Sequence, residues 1–101
     1  MITAKGGFVY ILTNKHHTVL YTGVTSNLVA RTQEHKEKKY PKSFSARYHT
    51  DKLIYYAFFP TIMEAIDEEK RIKAGSRAAK IKMIESMNPE WKDLWEEVKE
   101  W

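Results

Sequence analysis

The period of the apolar positions changes several times along the chain, and each change marks an element. Phe8 to Leu12 is an unbroken apolar, aromatic and β-branched run, which predicts a strand. Val19 to Thr22 predicts a second strand, with a hairpin turn at Asn14, Lys15, His16 and His17 between them. Ser26 or Asn27 can cap a helix running to about Lys38. Residues 39–51 read as irregular, with Pro41 and Ser43 as breakers, and Leu53 to Phe59 predicts a third strand ended by Pro60.

Thr61 followed by Glu64 forms a capping box, so the next helix starts there and runs to about Ala74. Gly75 is placed to end it in the left-handed conformation, and Ser76 to cap another helix reaching about Met87. Asn88 and Pro89 read as a cap with proline at the first helical position. Trp91, Leu94, Trp95 and Val98 then recur at helical spacing and predict a last, packed helix. The order strand, strand, helix, strand, helix, helix, helix describes a small α/β domain around a short sheet, its first two strands antiparallel.

Composition narrows the class. A chain of 101 residues with 43% hydrophobic and 13% aromatic residues suits a single domain with one core, taken as 1–101. The chain contains no cysteine, which removes disulfides, thiolate metal sites and cysteine nucleophiles. No apolar run approaches the roughly 20 residues that span a bilayer. Met1 to Gly7 has one lysine and no apolar core, so no secretory signal is expected there and a cytoplasmic location is the default. The formal charge of +4 is modest, but its distribution is uneven. Arg31, Lys36, Lys38, Lys39, Lys42, Arg47 and Lys52 crowd one stretch, interleaved with His35, Phe44, Tyr48 and His49. Such a mixture suits a phosphate backbone and an exposed base.

Three local patterns carry candidate chemistry. A turn at residues 14–17 would put Thr13 opposite Thr18 and Tyr10 opposite Tyr21, two phenols on one sheet face. Gly23, on the same face, leaves room above them. Arg31 and His35 share a helix face with Leu28 and so lean toward the sheet. Glu69 falls on the apolar stripe Ile62, Ala65, Ile66, Ile72, where a carboxylate needs a partner or a cation. Each has an ordinary alternative: an aromatic pair, two solvated residues, and a glutamate paired with Lys73. Together they suit metal-assisted phosphodiester cleavage, in which a carboxylate holds one Mg²⁺ or Mn²⁺ and arginine neutralises phosphate oxygens. A phenol beside them can act as a base if its pKa falls.

The ordered set resembles the GIY-YIG nucleases. Phe8-Val9-Tyr10 is followed, after ten intervening residues, by Tyr21-Thr22-Gly23. Arg31 and His35 follow in "RTQEH", then "LIYYAFF", Glu69 in "EAIDEEKRIK", and "IESMNPEWKDL". The likeness is greatest to the small single-domain members and to the N-terminal domain of excision-repair nucleases. It implies a short three-stranded antiparallel sheet flanked by helices, and a divalent-metal-dependent endonuclease acting on DNA, with a place in repair or recombination. It implies that Tyr10 or Tyr21 activates water, that Arg31 contacts the phosphate, that His35 assists, and that Glu69 holds a single Mg²⁺ or Mn²⁺. Lys36, Lys38, Lys39, Lys42 and Arg47 are the expected DNA contacts. Departures exist: Phe8-Val9 stands for Gly-Ile, Thr22 for Ile, Val24 where some members carry lysine, and Ala57 where relatives often carry glutamate. The alternative reading is a weakly or non-catalytic DNA-binding module on the same fold. A blander one is a protein-interaction domain using the aromatics of Trp91 to Trp101. A short basic footprint and a lone domain leave room for a further protein partner.

Overall fold

A computed structural model describes residues 6–101, so the expected absence of a signal at Met1 to Gly7 falls largely outside the described residues. The elements are β1 (Gly7–Thr13), β2 (Leu20–Thr25), α1 (Leu28–Lys36), α2 (Phe44–Arg47), β3 (Lys52–Phe59), α3 (Ile62–Ala74), α4 (Arg77–Met87) and α5 (Trp95–Val98). The strands form one antiparallel sheet in the order β2-β1-β3. This is the α/β arrangement the sequence predicts.

Helices cover both faces, which is why β1 reads as a continuous apolar run. Phe8, Tyr10 and Leu12 pack with Leu28, Leu53, Leu94 and Val98 on the face of α1 and α5. Val9 and Ile11 pack with Ile54, Ala65, Ile72 and Ile84 on the face of α3 and α4. The caps follow the expected chemistry. Asn27, Thr61 and Ser76 accept hydrogen bonds from the backbone N–H groups of Ala30, Glu64 and Ala79.

Several expectations require correction. The hairpin register is Thr13 opposite Leu20 and Tyr10 opposite Gly23, with Leu12 opposite Tyr21. The connection is longer than a simple turn because the Asn14 carboxamide oxygen accepts from the N–H groups of Thr18 and Val19 and delays the strand. The slip is by two residues, so facing is preserved and the two tyrosines remain diagonal neighbours. Gly75 takes an extended conformation, φ −80° and ψ 167°, not a left-handed one. Residues 39–51 are not wholly irregular, since Ser43 caps the single turn α2.

The C-terminal helix is short and does not begin at Asn88. Asn88 closes α4 and is buried, its amide donating to the carbonyls of Ile54 and Lys92 and accepting from Lys92 N–H. Trp91 then takes a left-handed φ of 55°, which interrupts a helix. Trp91 consequently packs on the α3/α4 face while Leu94 and Val98 pack on the other. Asp93 accepts from Leu53 and Trp95 N–H and fastens this segment to the end of β3.

Candidate active site

Gly23 is the reason two tyrosines can meet a histidine here. A Cβ at position 23 would lie 2.5 Å from both Cζ and Oη of Tyr10, so only glycine lets the ring cross β2. Tyr10 is 1% exposed, and its hydroxyl reaches His35 Nε2 at 3.0 Å. Ring centroids lie 6.4 Å apart for Tyr10 and Tyr21, 5.7 Å for Tyr10 and His35, and 5.5 Å for Tyr21 and His35. Tyr10, Tyr21 and His35 therefore form one aromatic cluster, and α1 supplies Arg31 to it from the turn before His35.

The electrostatics separate the two phenols. Burial, with the neighbouring Tyr21, pushes the Tyr10 phenol well above its ordinary value, against the opposing pull of the nearby Arg31 guanidinium. Tyr10 therefore stays protonated. A neutral His35 that carries its hydrogen on Nδ1 accepts at Nε2 from the Tyr10 hydroxyl. Burial and Arg31 lower the His35 pKa, which keeps the imidazole neutral near pH 7 and able to accept. Tyr21 is half-buried and lines an open cleft of about 120 Å³ with Arg31, Glu34, His35, Lys38 and Tyr40.

Glu69 belongs to the helix layer on the opposite side of the sheet from Leu28 and α1. Its carboxylate, 15% exposed, pairs with Lys73 Nζ at 3.0 Å. It is nonetheless close enough for its charge to raise the Tyr10 pKa. Lys73 shares a groove with Tyr21, Thr22, Phe44 and Lys80. The site is thus assembled around the β2 edge, with phenols, imidazole and guanidinium from one layer and a carboxylate from the other. Among the described residues no group of three or more His, Cys, Asp or Glu could jointly hold a metal. A single half-buried carboxylate still suits Mg²⁺ or Mn²⁺, which takes oxygen donors and fills its remaining positions with water and phosphate. The carboxylate's ion-pair partner is the exposed Lys73.

The expected DNA contacts divide. Lys38 lines the cleft, Lys39 reaches Glu34 at 3.3 Å, and Lys42 and Arg47 are exposed around α2. Lys36 stands apart, its ammonium donating to Asp93 at 2.7 Å and to the Asp51 carbonyl at 2.8 Å. It fastens α1 to the segments around β3. Glu34 was not singled out in the sequence, although it shares a helix face with Arg31. It holds Arg31 Nε at 3.1 Å and so occupies the guanidinium where an anion would bind. Lys73, which the sequence offers only as a partner for Glu69, and Lys80, which no sequence pattern marks, stand beside Tyr21 because the fold brings them there.

The chain is similar to known proteins along most of its length. The model of the GIY-YIG catalytic domain matches residues 6–82. A UPF0213 protein of Syntrophus aciditrophicus is 36% identical, over 82% of this chain and 93% of its own. One of Staphylococcus haemolyticus is 40% identical, over 77% and 93%. The solution NMR structure of a UPF0213 protein from Bacillus halodurans is 27% identical, with a TM-score of 0.55, covering 87% of this chain and 92% of that one. No helix among the described residues is long and apolar enough to cross a membrane. The chain belongs to the GIY-YIG catalytic-domain family.

Proposed function

We propose that this chain, as one domain, is a divalent-metal-dependent endonuclease that hydrolyses phosphodiester bonds in DNA. The observation that carries the reading is the meeting of Tyr10, Tyr21, Arg31 and His35 beside a carboxylate whose charge reaches Tyr10. Arg31 is the phosphate contact: a phosphodiester entering the cleft competes with Glu34 for the guanidinium. Tyr21, which faces the open cleft, is the phenol placed to meet attacking water. Tyr10 is closed off and holds its proton, so its hydroxyl fixes the neutral His35 in place beside Tyr21. Glu69 would hold Mg²⁺ or Mn²⁺ after release from Lys73; when bound, such an ion stabilises charge on the leaving oxygen. A cysteine-free chain suits a reducing cytoplasm, and repair or recombination is the setting that fits such an activity.

A second reading is a DNA-binding module that cuts little. It is favoured by the internal pairing of both key charges, Arg31 with Glu34 and Glu69 with Lys73. Incubation of the purified chain with branched, nicked and single-stranded DNA decides between them. Cleavage that needs Mg²⁺ or Mn²⁺ and stops with chelator is expected. Binding without cleavage under either cation selects the module.

Lys38 offers a separate check on the cleft. It ends α1 with a left-handed φ of 52°, while Lys38 and Lys39 N–H donate to the carbonyls of His35 and Glu34. Glycine is the usual residue at this place in such a cap. Lys38→Gly is therefore expected to relieve strain, with a stability gain of up to about 1 kcal/mol. It is also expected to weaken DNA binding and to flatten its dependence on salt by up to about one unit of log–log slope. Urea melts and salt titrations measure the two effects. Unchanged affinity would move the phosphate path away from Lys38.

A further inference from the structure

Three large rings stand in water beside the cleft: Tyr40, Phe44 and Tyr48 are 58%, 50% and 43% exposed. The core does not need them there. The single turn α2 is anchored by buried Ala46 and by its Ser43 cap, and Phe44 and Tyr48, four residues apart, project from it together. Phe44 lies 5.9 Å from the ring of Tyr21 at an interplanar angle of 26°, and 4.6 Å from Tyr48. An aromatic strip thus runs from buried Tyr10 through half-buried Tyr21 to exposed Phe44 and Tyr48. The surroundings are cationic: Lys39 lies over Tyr40, Arg47 lies over Tyr48, and Lys73 and Lys80 border the groove on the far side of Phe44.

Flat rings framed by lysine and arginine fit a nucleobase whose flanking phosphates lie on the cations. A paired base already has both faces covered by its stack, so it offers such a platform nothing. An acidic protein could meet the cations, but it would not explain why the strip continues in register from Tyr21. We propose that Phe44, with Tyr48, forms a subsite for an unpaired nucleobase next to the scissile phosphate. The preferred substrates are therefore single strands, or duplexes with an unpaired nucleotide at the cut. The proposal rests on the reading of the adjacent cleft as a phosphodiester-cutting site.

Its test needs no turnover. The full chain, in chelator, is titrated into a short thymidine oligonucleotide carrying one 2-aminopurine, and into the matched duplex. Binding is read by anisotropy and stacking by quenching of the 2-aminopurine. The expected result is quenching on the single strand. Phe44→Ala should lose the quenching and about tenfold of the single-strand affinity, and leave duplex affinity as it was. Phe44→Trp should retain both signals, which separates stacking from a fold defect. No quenching with the wild-type chain overturns the proposal, as does an equal loss on single strand and duplex in Phe44→Ala. Absence of any binding to either DNA also overturns it and leaves the strip as a protein-docking face. Metal-dependent cleavage without quenching sinks the subsite alone; quenching without cleavage sinks the nuclease reading alone.

Discussion

Glu69→Ala is expected to lower metal-dependent cleavage by about a thousandfold or more, the rate equivalent of the several kcal/mol a bound cation supplies. The fold is expected to survive. The one ion pair lost is with Lys73, 53% exposed, one turn along the same helix. Such pairs contribute only about 0.3–0.5 kcal/mol, so the melting temperature should move by at most a few degrees. This asymmetry makes the variant informative. A structural glutamate would lose stability and activity together, whereas a metal ligand loses activity alone. Lys73→Met supplies the converse control. It frees the carboxylate, so apparent Mn²⁺ affinity in the cleavage titration should rise. Cleavage at full rate in purified Glu69→Ala would remove position 69 from the metal site.

What the sequence disclosed about this site follows from periodicity. Alternation along a strand placed Tyr10, Tyr21 and Gly23 on one face, and a slip of two residues in the hairpin could not change that. Helical spacing likewise put Arg31 and His35 together and turned Glu69 inward. Periodicity says nothing about which layer a face belongs to. Glu69 faces the sheet from the side opposite α1, and only the edge position of β2 lets its charge reach Tyr10. The features that stayed hidden depend on single side chains acting over distance. Asn88 ties the end of α4 to β3, Asp93 ties the segment after it to Leu53, and Lys36 ties α1 to Asp93. None of these has a pattern that repeats, so no window of sequence announces it.

Gly23→Ala is the second large effect, and it joins packing to chemistry. The added methyl would sit 2.5 Å from Tyr10 Cζ and Oη and 3.0 Å from Cε1. The end of a side chain can often swing aside, but this one is 1% exposed and hydrogen-bonded to His35 at 3.0 Å. Overpacking of this kind costs about 1–3 kcal/mol, and each kcal/mol lowers the melting temperature by roughly 4–8 °C in a domain of this size. Cleavage should fall further than stability accounts for, even well below the new melting temperature, because displacing the Tyr10 ring breaks its bond to His35. Tyr10→Phe provides the internal check. It removes Oη but keeps Cζ, so Gly23→Ala must stay destabilising in that background. Tyr10→Leu removes both atoms, and there the alanine should become nearly neutral, giving a coupling energy within the range of residues in contact. A Gly23→Ala chain that melts and cleaves like the wild type would mean that Tyr10 does not cross β2 at this point, and the assembly of the site around the β2 edge would fall with it.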